Sequence, residues 1–305
     1  MQHIHVLDFD GSIHAQTELL STFKSQIKIN DLRRFYYWAR LWTSPKKFTS
    51  ICAAAVKHIQ QPCFTLIGSG DFHHFSYGLI ANLVSNQAKP ITVVLFDNHP
   101  DWIKPPHQFH CGTWVYSLAR LPQVQRIIIV GLESGDIDGV GFKNGDVENY
   151  LSKKVILLPY QPVQITLPEN QHSNLCSQLA KDLTQGIDEI IGYIETEQVY
   201  ISIDKDCLRV EDAFTNWEQG TLPLSTVTGA IKVIRSRFNI LGADTVGDYS
   251  PPKFRSPLKM LGSWLDRKIK TPKSNQINSA MLKRNELANI ALIQALMPEL
   301  SVSRV

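Results

Sequence analysis

The amino-acid sequence predicts an α/β fold in which a parallel sheet is covered by helices on both faces. Short apolar segments alternate along the chain with longer segments of helical pattern, which is typical of β-α-β units. Several apolar segments lack polar–apolar alternation, as strands buried on both faces do. Acidic residues and histidines follow several of these segments, and ligand sites in such sheets collect beyond the carboxyl ends of the strands. These observations therefore predict both the fold and the position of a site.

The composition is that of a globular chain without a strongly charged partner. Of 305 residues, 43% are hydrophobic and 19% are charged, which provides a substantial core. That length fits one large domain or two smaller ones. We find no internal repeat or low-complexity segment and predict a single domain over residues 1–305. The formal charge of +3 gives no argument for nucleic acid, so a small-molecule substrate is the expected partner.

The cysteines and the N-terminus predict a cytoplasmic protein. Five cysteines are scattered without a Cys-x-x-Cys motif, which favours reduced thiols; they are Cys52, Cys63, Cys111, Cys176 and Cys207. The N-terminus has no basic region followed by a long apolar stretch, so no signal peptide is expected. No run approaches the roughly 20 apolar residues of a membrane span. We therefore expect no membrane partner, and a homo-oligomer stays an open alternative.

The first part of the chain holds three predicted strands with helices between them. Strands are predicted over residues 4–7, 63–67 and 93–96 because each segment is short and apolar. Helices are predicted over residues 15–40, 45–59, 75–86 and 114–119. Pro45 suits the first turn of its helix, and glycines at 68 and 70 allow a tight turn after the second strand. The aromatic and basic residues 33–38 form either a partner surface or, as we favour, a helix face packed into the core.

The second part continues the alternation. Strands are predicted over residues 126–130, 154–158, 199–203 and 239–243, and helices over residues 171–192, 224–237 and 279–296. Residues 131–145 hold five glycines, which predicts a long loop. Residues 266–278 are basic and polar and contain Pro272, which predicts a loop or linker.

The strand over residues 93–96 ends in an Asp-x-His-x-Asp motif. If the extended geometry continues, Asp97, His99 and Asp101 project to one side, because strand residues alternate between faces. Two carboxylates and an imidazole crowded at a strand end cost much desolvation unless a positive charge lies between them. A divalent cation is the simplest such partner. The alternative from this segment alone is a polar loop with solvated acids.

Other strands also end in chemically active residues: Asp71 with His73 and His74, Asp204 with Asp206, and Asp244 with Asp248. Asp204 and Asp206 share a face, whereas Lys205 points the other way. Oxygen and nitrogen ligands without a thiolate favour manganese or magnesium over zinc. If six of these side chains act as ligands, two ions are expected, with Asp97 and Asp204 shared between them. Such a pair lowers the pKa of a bridging water.

The order of these motifs resembles the arginase/agmatinase (ureohydrolase) family, of which this chain would be a divergent member. A glycine-rich turn with a histidine is followed by Asp-x-His-x-Asp, His-x-Gly-Thr and Ser-x-Asp-x-Asp over residues 63–250. The resemblance implies a three-layer α/β/α fold with a mostly parallel central sheet. It also implies a binuclear manganese centre and a hydrolase that converts guanidino compounds to an amine and urea.

The resemblance implies roles for individual residues. The metal ligands would be His73, Asp97, His99, Asp101, Asp204 and Asp206. Because Phe72 separates Asp71 from the histidines, the first ligand falls on either His73 or His74, and we prefer His73. By the same pattern, His110 corresponds to the proton-shuttling histidine that acts as general acid, and Asp101 would orient the attacking hydroxide.

Two departures from the family pattern concern the substrate. Arg209 stands where the family has an acid near the site. The family's late glutamate, which holds the guanidinium, is replaced by the sequence Val246-Gly247-Asp248, in which Asp248 is displaced by one residue and shorter by one methylene. A guanidinium needs a well-placed carboxylate, so arginine and agmatine are in doubt as substrates. We expect Asp248 and Arg209 at the substrate site, and a guanidino or related amide-like small molecule whose C–N carbon is attacked.

Two alternatives remain open from the sequence. Residues 4–12 resemble the first motif of haloacid-dehalogenase-like phosphatases, in which Asp8 would be the nucleophile and Asp10 the general acid. That interpretation leaves the Asp-x-His-x-Asp and Ser-x-Asp-x-Asp motifs without a role. The second alternative is a non-catalytic arginase-like protein that binds metal or a partner, which the two departures suggest.

Overall fold

The computed structural model describes residues 1–300 except residues 2, 86, 106–107, 139–141, 167–171 and 267–278. The strands in this part of the chain are β1 (His3–Asp8), β2 (Ile27–Asp31), β3 (Trp42–Thr43), β4 (Cys63–Gly68), β5 (Ile91–Phe96), β6 (Phe109–His110), β7 (Val124–Leu132), β8 (Val155–Pro159), β9 (Val163–Thr166), β10 (His172–Leu175), β11 (Gln198–Asp204) and β12 (Asn239–Val246).

The α-helices are α1 (Thr17–Thr22), α2 (Tyr36–Ala39), α3 (Pro45–Val56), α4 (Phe75–Val84), α5 (Trp114–Leu118), α6 (Val147–Leu151), α7 (Leu183–Gly192), α8 (Leu224–Arg237), α9 (Pro257–Asp266) and α10 (Ser279–Leu296). Eight strands form one sheet in the order β2-β1-β4-β12-β11-β5-β7-β8, and every neighbouring pair in it is parallel.

Helices cover both faces of this sheet. Strand β5 is apolar and fully buried, and its side chains alternate between two cores. Val94 and Phe96 pack into a core with residues of α1, α7, α8 and α10, whereas Val93 and Leu95 pack with residues of α4 and α5 on the other face. The fold is therefore the predicted three-layer α/β/α arrangement with a parallel central sheet.

Most of the predicted elements are present. Each predicted strand is confirmed with small shifts at its ends, and the helices predicted at 45–59, 75–86, 114–119, 224–237 and 279–296 are confirmed as α3, α4, α5, α8 and α10. Helix α9 was not predicted. Of the predicted linker 266–278, Asp266 ends α9 and the remainder lies outside the described residues, as does part of the predicted loop 131–145.

The predicted helix over residues 15–40 is wrong. Two short helices, α1 and α2, flank the edge strand β2, which pairs with β1. Ile27 and Ile29 are β-branched and alternate with polar residues, and pairing with β1 satisfies their backbone groups. Tertiary pairing therefore overrides the helical pattern of the surrounding sequence.

The predicted helix over residues 171–192 is also wrong in its first part. Residue 171 lies outside the described residues, and β10 pairs antiparallel with β9. The helix begins only at α7, where the Asp182 side chain caps it by accepting a hydrogen bond from the backbone N–H of Gln185 at 2.8 Å. A cap in the middle of the predicted segment is thus the signal that the prediction overlooked.

The cysteines and the lengths of the helices bear on two expectations from the sequence. The five cysteines are free thiols. Within the described ranges, no helix combines the length and the apolar character that crossing a bilayer requires.

Candidate metal centre

The candidate site lies at the carboxyl ends of three strands, β4, β5 and β11. Because the sheet is parallel, these ends meet at one edge. The turn after β4 carries His73, the turn after β5 carries Asp97, His99 and Asp101, and Asp204 ends β11. Strand β5 lies directly beside β11, so the two acidic motifs come together although they are about a hundred residues apart.

The first group of side chains surrounds the His73 imidazole. Its Nδ1 atom lies 3.0 Å from Oδ2 of Asp101. The same atom lies 3.4 Å from Oδ2 of Asp97 and 3.4 Å from Oδ2 of Asp204. All four side chains are buried. Three carboxylates from different turns thus converge on one ring nitrogen.

A second group surrounds the His99 imidazole. Its Nδ1 atom lies 3.0 Å from Oδ2 of Asp206 and 3.9 Å from Oδ1 of Asp97. The ligand atoms of His99, Asp206 and Asp97 lie within 4.8 Å of one another, as do those of His73, Asp97 and Asp101. Asp97 therefore belongs to both groups, and the two groups share its carboxylate.

The atoms at the centre of the first group lack hydrogen-bond partners. His73 Nδ1 and Asp97 Oδ2 are buried, and neither makes a hydrogen bond within the described part of the chain. An unsatisfied buried polar atom costs free energy, and bound metal is one way to satisfy it. The donors are imidazole nitrogens and carboxylate oxygens, which suit manganese, magnesium or zinc. The residues present therefore fit a divalent cation.

The pKa shifts in the cluster follow from burial and from the crowding of its carboxylates. Burial and neighbouring carboxylates raise the pKa of Asp97 well above its usual range, and they raise that of Asp204 to about 7. For His73, burial lowers the pKa, but the adjacent Asp101 outweighs burial, and the result is about 9. Burial also lowers the pKa of His99, but the adjacent Asp206 outweighs it, and the result is about 10. The pKa values of both the carboxylates and the imidazoles are thus raised, as expected where cations are needed to balance the buried acids.

A buried polar chain holds the other side of the His73 ring. His73 Nε2 lies 3.2 Å from the hydroxyl of Ser202, which donates a 2.8 Å hydrogen bond to Asp244 Oδ1. The hydroxyls of Ser76 and Tyr200 also donate to Asp244, at 2.9 and 2.7 Å. Fixing Nε2 in this way turns Nδ1 towards the carboxylates. Asp244 thus contacts Ser202 instead of joining the cluster as a strand-end acid, and its position in the sequence does not predict this.

The other candidate residues of the turn after β4 lie outside the cluster. His74 Nε2 lies 3.2 Å from the hydroxyl of Thr43. Asp71 accepts a hydrogen bond from the buried Arg40 at 2.5 Å and another from Trp217 Nε1 at 3.0 Å. Of the two histidines, the structure therefore brings His73 to the carboxylates.

His110 lines the cavity above the cluster. The short antiparallel pair β3–β6 places it opposite Trp42, whose ring stacks on the imidazole with centroids 6.0 Å apart. His110 Nδ1 accepts a 2.9 Å hydrogen bond from the backbone N–H of Gly112. Because a backbone N–H is always the donor, the neutral ring carries its proton on Nε2.

The cavity wall contains residues that the sequence analysis did not single out. Asp136, Glu218 and Trp217 line it together with the cluster acids. Among the described lining residues there is no lysine or arginine. Trp217 and Glu218 lie on a loop and Asp136 lies in a short 3₁₀ helix, and only their position in the fold identifies them.

Asp248 and Arg209 lie away from this cavity, contrary to the expectation that they line the substrate site. Asp248 forms a buried ion pair with Lys205 at 2.8 Å and faces a second cavity. Arg209 is about half exposed and pairs with Asp212 at 2.7 Å. Gly247 has φ of +91°, and a Cβ atom there would lie 2.7 Å from Asp204 Oδ1. The chain therefore passes close to Asp204, and Asp248 turns towards Lys205.

The acids of the phosphatase alternative have local structural roles. Asp8 accepts a 2.7 Å hydrogen bond from the backbone N–H of Gly11 and lies 2.9 Å from His14 Nε2. Asp10 accepts hydrogen bonds from the backbone and side chain of Ser12, at 3.0 and 2.7 Å. The two acids thus stabilise the turn after β1.

Comparison with known proteins agrees with this geometry. A sequence model of the arginase family matches residues 11–156. This match and the fold confirm the resemblance to the arginase family that the motifs predict. An uncharacterized protein of Thermotoga maritima is 27% identical over 255 residues, which span 83% of this chain and 82% of the relative. This chain is thus similar to that relative over most of both lengths.

Solved structures share the fold at low sequence identity. Arginase from Bacillus cereus is 15% identical with a TM-score of 0.63, over 99% of this chain and 98% of that one. Formimidoylglutamase from Bacillus subtilis is 16% identical with a TM-score of 0.55, over 96% and 85% of the two chains. The comparisons give no support to the phosphatase alternative. Since the names of these two proteins denote different activities, the shared fold does not select a substrate.

Proposed function

We propose that this arginase-family chain is a metal-dependent hydrolase of C–N bonds with a binuclear centre, and that manganese is its metal. Its substrate would be a guanidino or related amide-like small molecule. The observation that carries the proposal is the shared Asp97 carboxylate, whose two oxygens face different histidines. A carboxylate in that position suits a bridge between two cations.

The ligands divide into two sets under this proposal. His73 and Asp101 would hold one ion, His99 and Asp206 the other, and both sets include Asp97. Asp204 would contribute as a second bridge, because it lies near His73 and is followed directly by the turn that carries Asp206. When bound, divalent cations at such a site supply Lewis acidity, which makes water a nucleophile at neutral pH and polarises the carbon that it attacks.

Two residues would handle water and protons. Trp114 Nε1 donates a 2.7 Å hydrogen bond to Oδ2 of Asp101, which leaves Oδ1 to orient the attacking water. His110 would act as a general acid in its protonated form, in which Nδ1 also carries a proton and the hydrogen bond from the Gly112 N–H is lost. Its Nε2 proton would then pass to the departing nitrogen. Both Asp101 and His110 line the same cavity, so one substrate can contact both.

The proposed substrate is defined only by a reacting carbon that is bonded to nitrogen. The family's guanidinium-binding glutamate has no counterpart in Asp248, which is engaged by Lys205 and also accepts a 2.7 Å hydrogen bond from Gln16 Nε2. The cavity offers Asp136 and Glu218 instead, which would favour a substrate with a positively charged or hydrogen-bond-donating end.

The test is a hydrolysis screen of guanidino, formimino and amide compounds with the manganese-loaded protein, with wild type and His110→Asn assayed in parallel. We expect release of amine or ammonia from at least one class. His110→Asn should lose about 10²- to 10⁴-fold in rate while keeping its metal content. His58→Asn, which changes an exposed histidine, is the matched control and should keep full activity.

The opposite results are equally clear. Equal turnover by wild type and His110→Asn would remove the general-acid role. Absence of hydrolysis of all three classes by protein that carries two manganese ions would favour the non-catalytic alternative.

A further inference from the structure

Helix α9 exposes its apolar side to solvent. Its large hydrophobic side chains are 52% to 72% exposed; they are Leu258, Met260, Leu261, Trp264 and Leu265. A surface helix of a globular protein normally buries its apolar side and exposes its polar one. A contiguous exposed apolar surface of this kind marks an interaction site.

Polar contacts hold α9 in this orientation. The buried Lys259 ammonium donates hydrogen bonds to the backbone carbonyls of Tyr37, Trp38 and Arg40, at 3.1, 3.0 and 2.7 Å. Gly262 packs so closely on Trp42 that a Cβ atom would lie 2.7 Å from its ring. These contacts tie the polar side of the helix to the protein, so its apolar side faces outward as part of the fold.

The surface beside α9 is aromatic and basic. Trp38, which is 51% exposed, lies next to the Lys259 anchor, and Lys47 stands 4.8 Å above the Trp38 ring. The Arg255 guanidinium lies 4.2 Å from the centroid of Tyr37, and Lys253 is exposed. The exposed apolar residues therefore lie next to cationic side chains.

The sequence before and after this helix is rich in lysine and arginine. Between positions 253 and 273 there are six of them besides the buried Lys259, and one acid, whereas the whole chain carries a formal charge of only +3. A marked local excess of one sign points to a partner of the opposite sign. The partner must thus be both anionic and able to take up large aliphatic and indole side chains.

We propose that α9 and Trp38 form a docking surface for an anionic lipid bilayer, which replaces the expectation from the sequence that no membrane is a partner. Leucine, methionine and tryptophan side chains on one side of a short helix insert at the headgroup boundary, and flanking basic residues are attracted to anionic lipids. A second copy of this chain fits less well, because the basic surroundings of two copies would face each other. The surface adjoins the metal-site cavity, since Leu265 lines both, and its role does not depend on the proposed hydrolysis.

The test is vesicle flotation of the full-length protein with two lipid compositions. One set of vesicles is phosphatidylcholine and the other is phosphatidylcholine mixed with phosphatidylserine. We expect the protein to bind the mixed vesicles. Binding to the neutral vesicles should be weaker by at least about tenfold, and binding to the mixed vesicles should weaken as the salt concentration rises. The double change Leu258→Ser and Leu261→Ser should reduce binding to the mixed vesicles by about tenfold or more.

The matched control is the double change Leu151→Ser and Leu183→Ser, which removes exposed leucines from α6 and α7 and should bind like wild type. Circular dichroism should show that both double variants are folded. Equal flotation of wild type and the α9 variant would overturn the proposal, as would equal binding to neutral and anionic vesicles. The proposal would also be overturned if the protein does not bind vesicles but forms concentration-dependent dimers that the α9 changes abolish. That result would assign the surface to a second copy of the chain.

Discussion

His73 Nδ1 and Asp97 Oδ2 lie 3.4 Å apart in the core of the site, and neither atom has a hydrogen-bond partner among the described residues. Two buried polar atoms that face each other in this way are costly unless something between them satisfies both. A cation would do so, because both atoms can act as ligands once the histidine is neutral. This relationship is the basis of the metal-site proposal and of the first prediction.

The two ligand groups should lose metal in different ways. We expect Asp97→Ala to lose both ions, because Asp97 belongs to both groups, whereas His99→Ala should keep the ion near His73. Elemental analysis after dialysis measures the number of ions per chain. Asp136→Asn, in the same cavity but outside both groups, is the control and should keep two. Full metal content in Asp97→Ala would contradict the bridging role.

Ser202 should affect metal affinity through His73. Ser202→Ala removes the hydroxyl that links His73 Nε2 to Asp244, so we expect about a 10- to 100-fold loss of manganese affinity. Ser76→Ala is a matched control, because Ser76 also bonds to Asp244 Oδ1 and makes no contact with His73 Nε2. Titration calorimetry gives both affinities. A loss of the same size in Ser76→Ala would assign the effect to general damage around Asp244.

Gly247 should tolerate no side chain. Gly247→Ala places a Cβ atom 2.7 Å from Asp204 Oδ1 at a φ of +91°, so we expect a loss of more than about 1 kcal/mol in unfolding free energy together with weaker metal binding. Gly229→Ala in helix α8 meets no atom within 4 Å and should instead be neutral or stabilising. Urea unfolding compares the two. Unchanged stability in Gly247→Ala would mean that the backbone there can move away from Asp204.

The contribution of His5 to stability should fall in mild acid. Burial, helped by Lys28 and His3, lowers the pKa of His5 to about 4, whereas the unfolded chain has an ordinary value near 6.5. Between these values the unfolded state binds a proton that the folded state excludes, so the penalty is absent above pH 6.5 and grows as the pH falls towards 4.

His5→Gln should remove this penalty. Wild type should lose about 2 kcal/mol more than His5→Gln between pH 7 and pH 5 in urea unfolding. His58→Gln, at an exposed position, should keep the wild-type slope. Identical slopes in wild type and His5→Gln would contradict the proposed origin of the effect.

The sequence predicted the parts of the site that follow from local pattern. Asp97 and Asp204 each follow an apolar strand, and the parallel sheet brings such ends to one edge. The contact between His73 and Ser202 was not predictable in this way, because it depends on the spatial order of β4, β12 and β11 in the sheet. Neighbours in space that are distant in sequence leave no local pattern.

Other failures have similar causes. Asp248 was expected at the substrate site from its place in a motif, but an extra residue and the close approach of Gly247 to Asp204 turn it towards Lys205. No helix is predicted at α9, although Leu258, Leu261 and Leu265 recur there at helical spacing. Edge strand β2 was assigned to a helix because pairing with β1, and not local propensity, decides its conformation.

The central claim is that the shared Asp97 carboxylate joins two cation sites, and an anomalous-scattering map of manganese-soaked crystals tests it most directly. The account predicts two peaks, one beside His73 and Asp101 and the other beside His99 and Asp206, with Asp97 touching both. A map with no peak at Asp97, or with manganese only at some other place on the molecule, would contradict it.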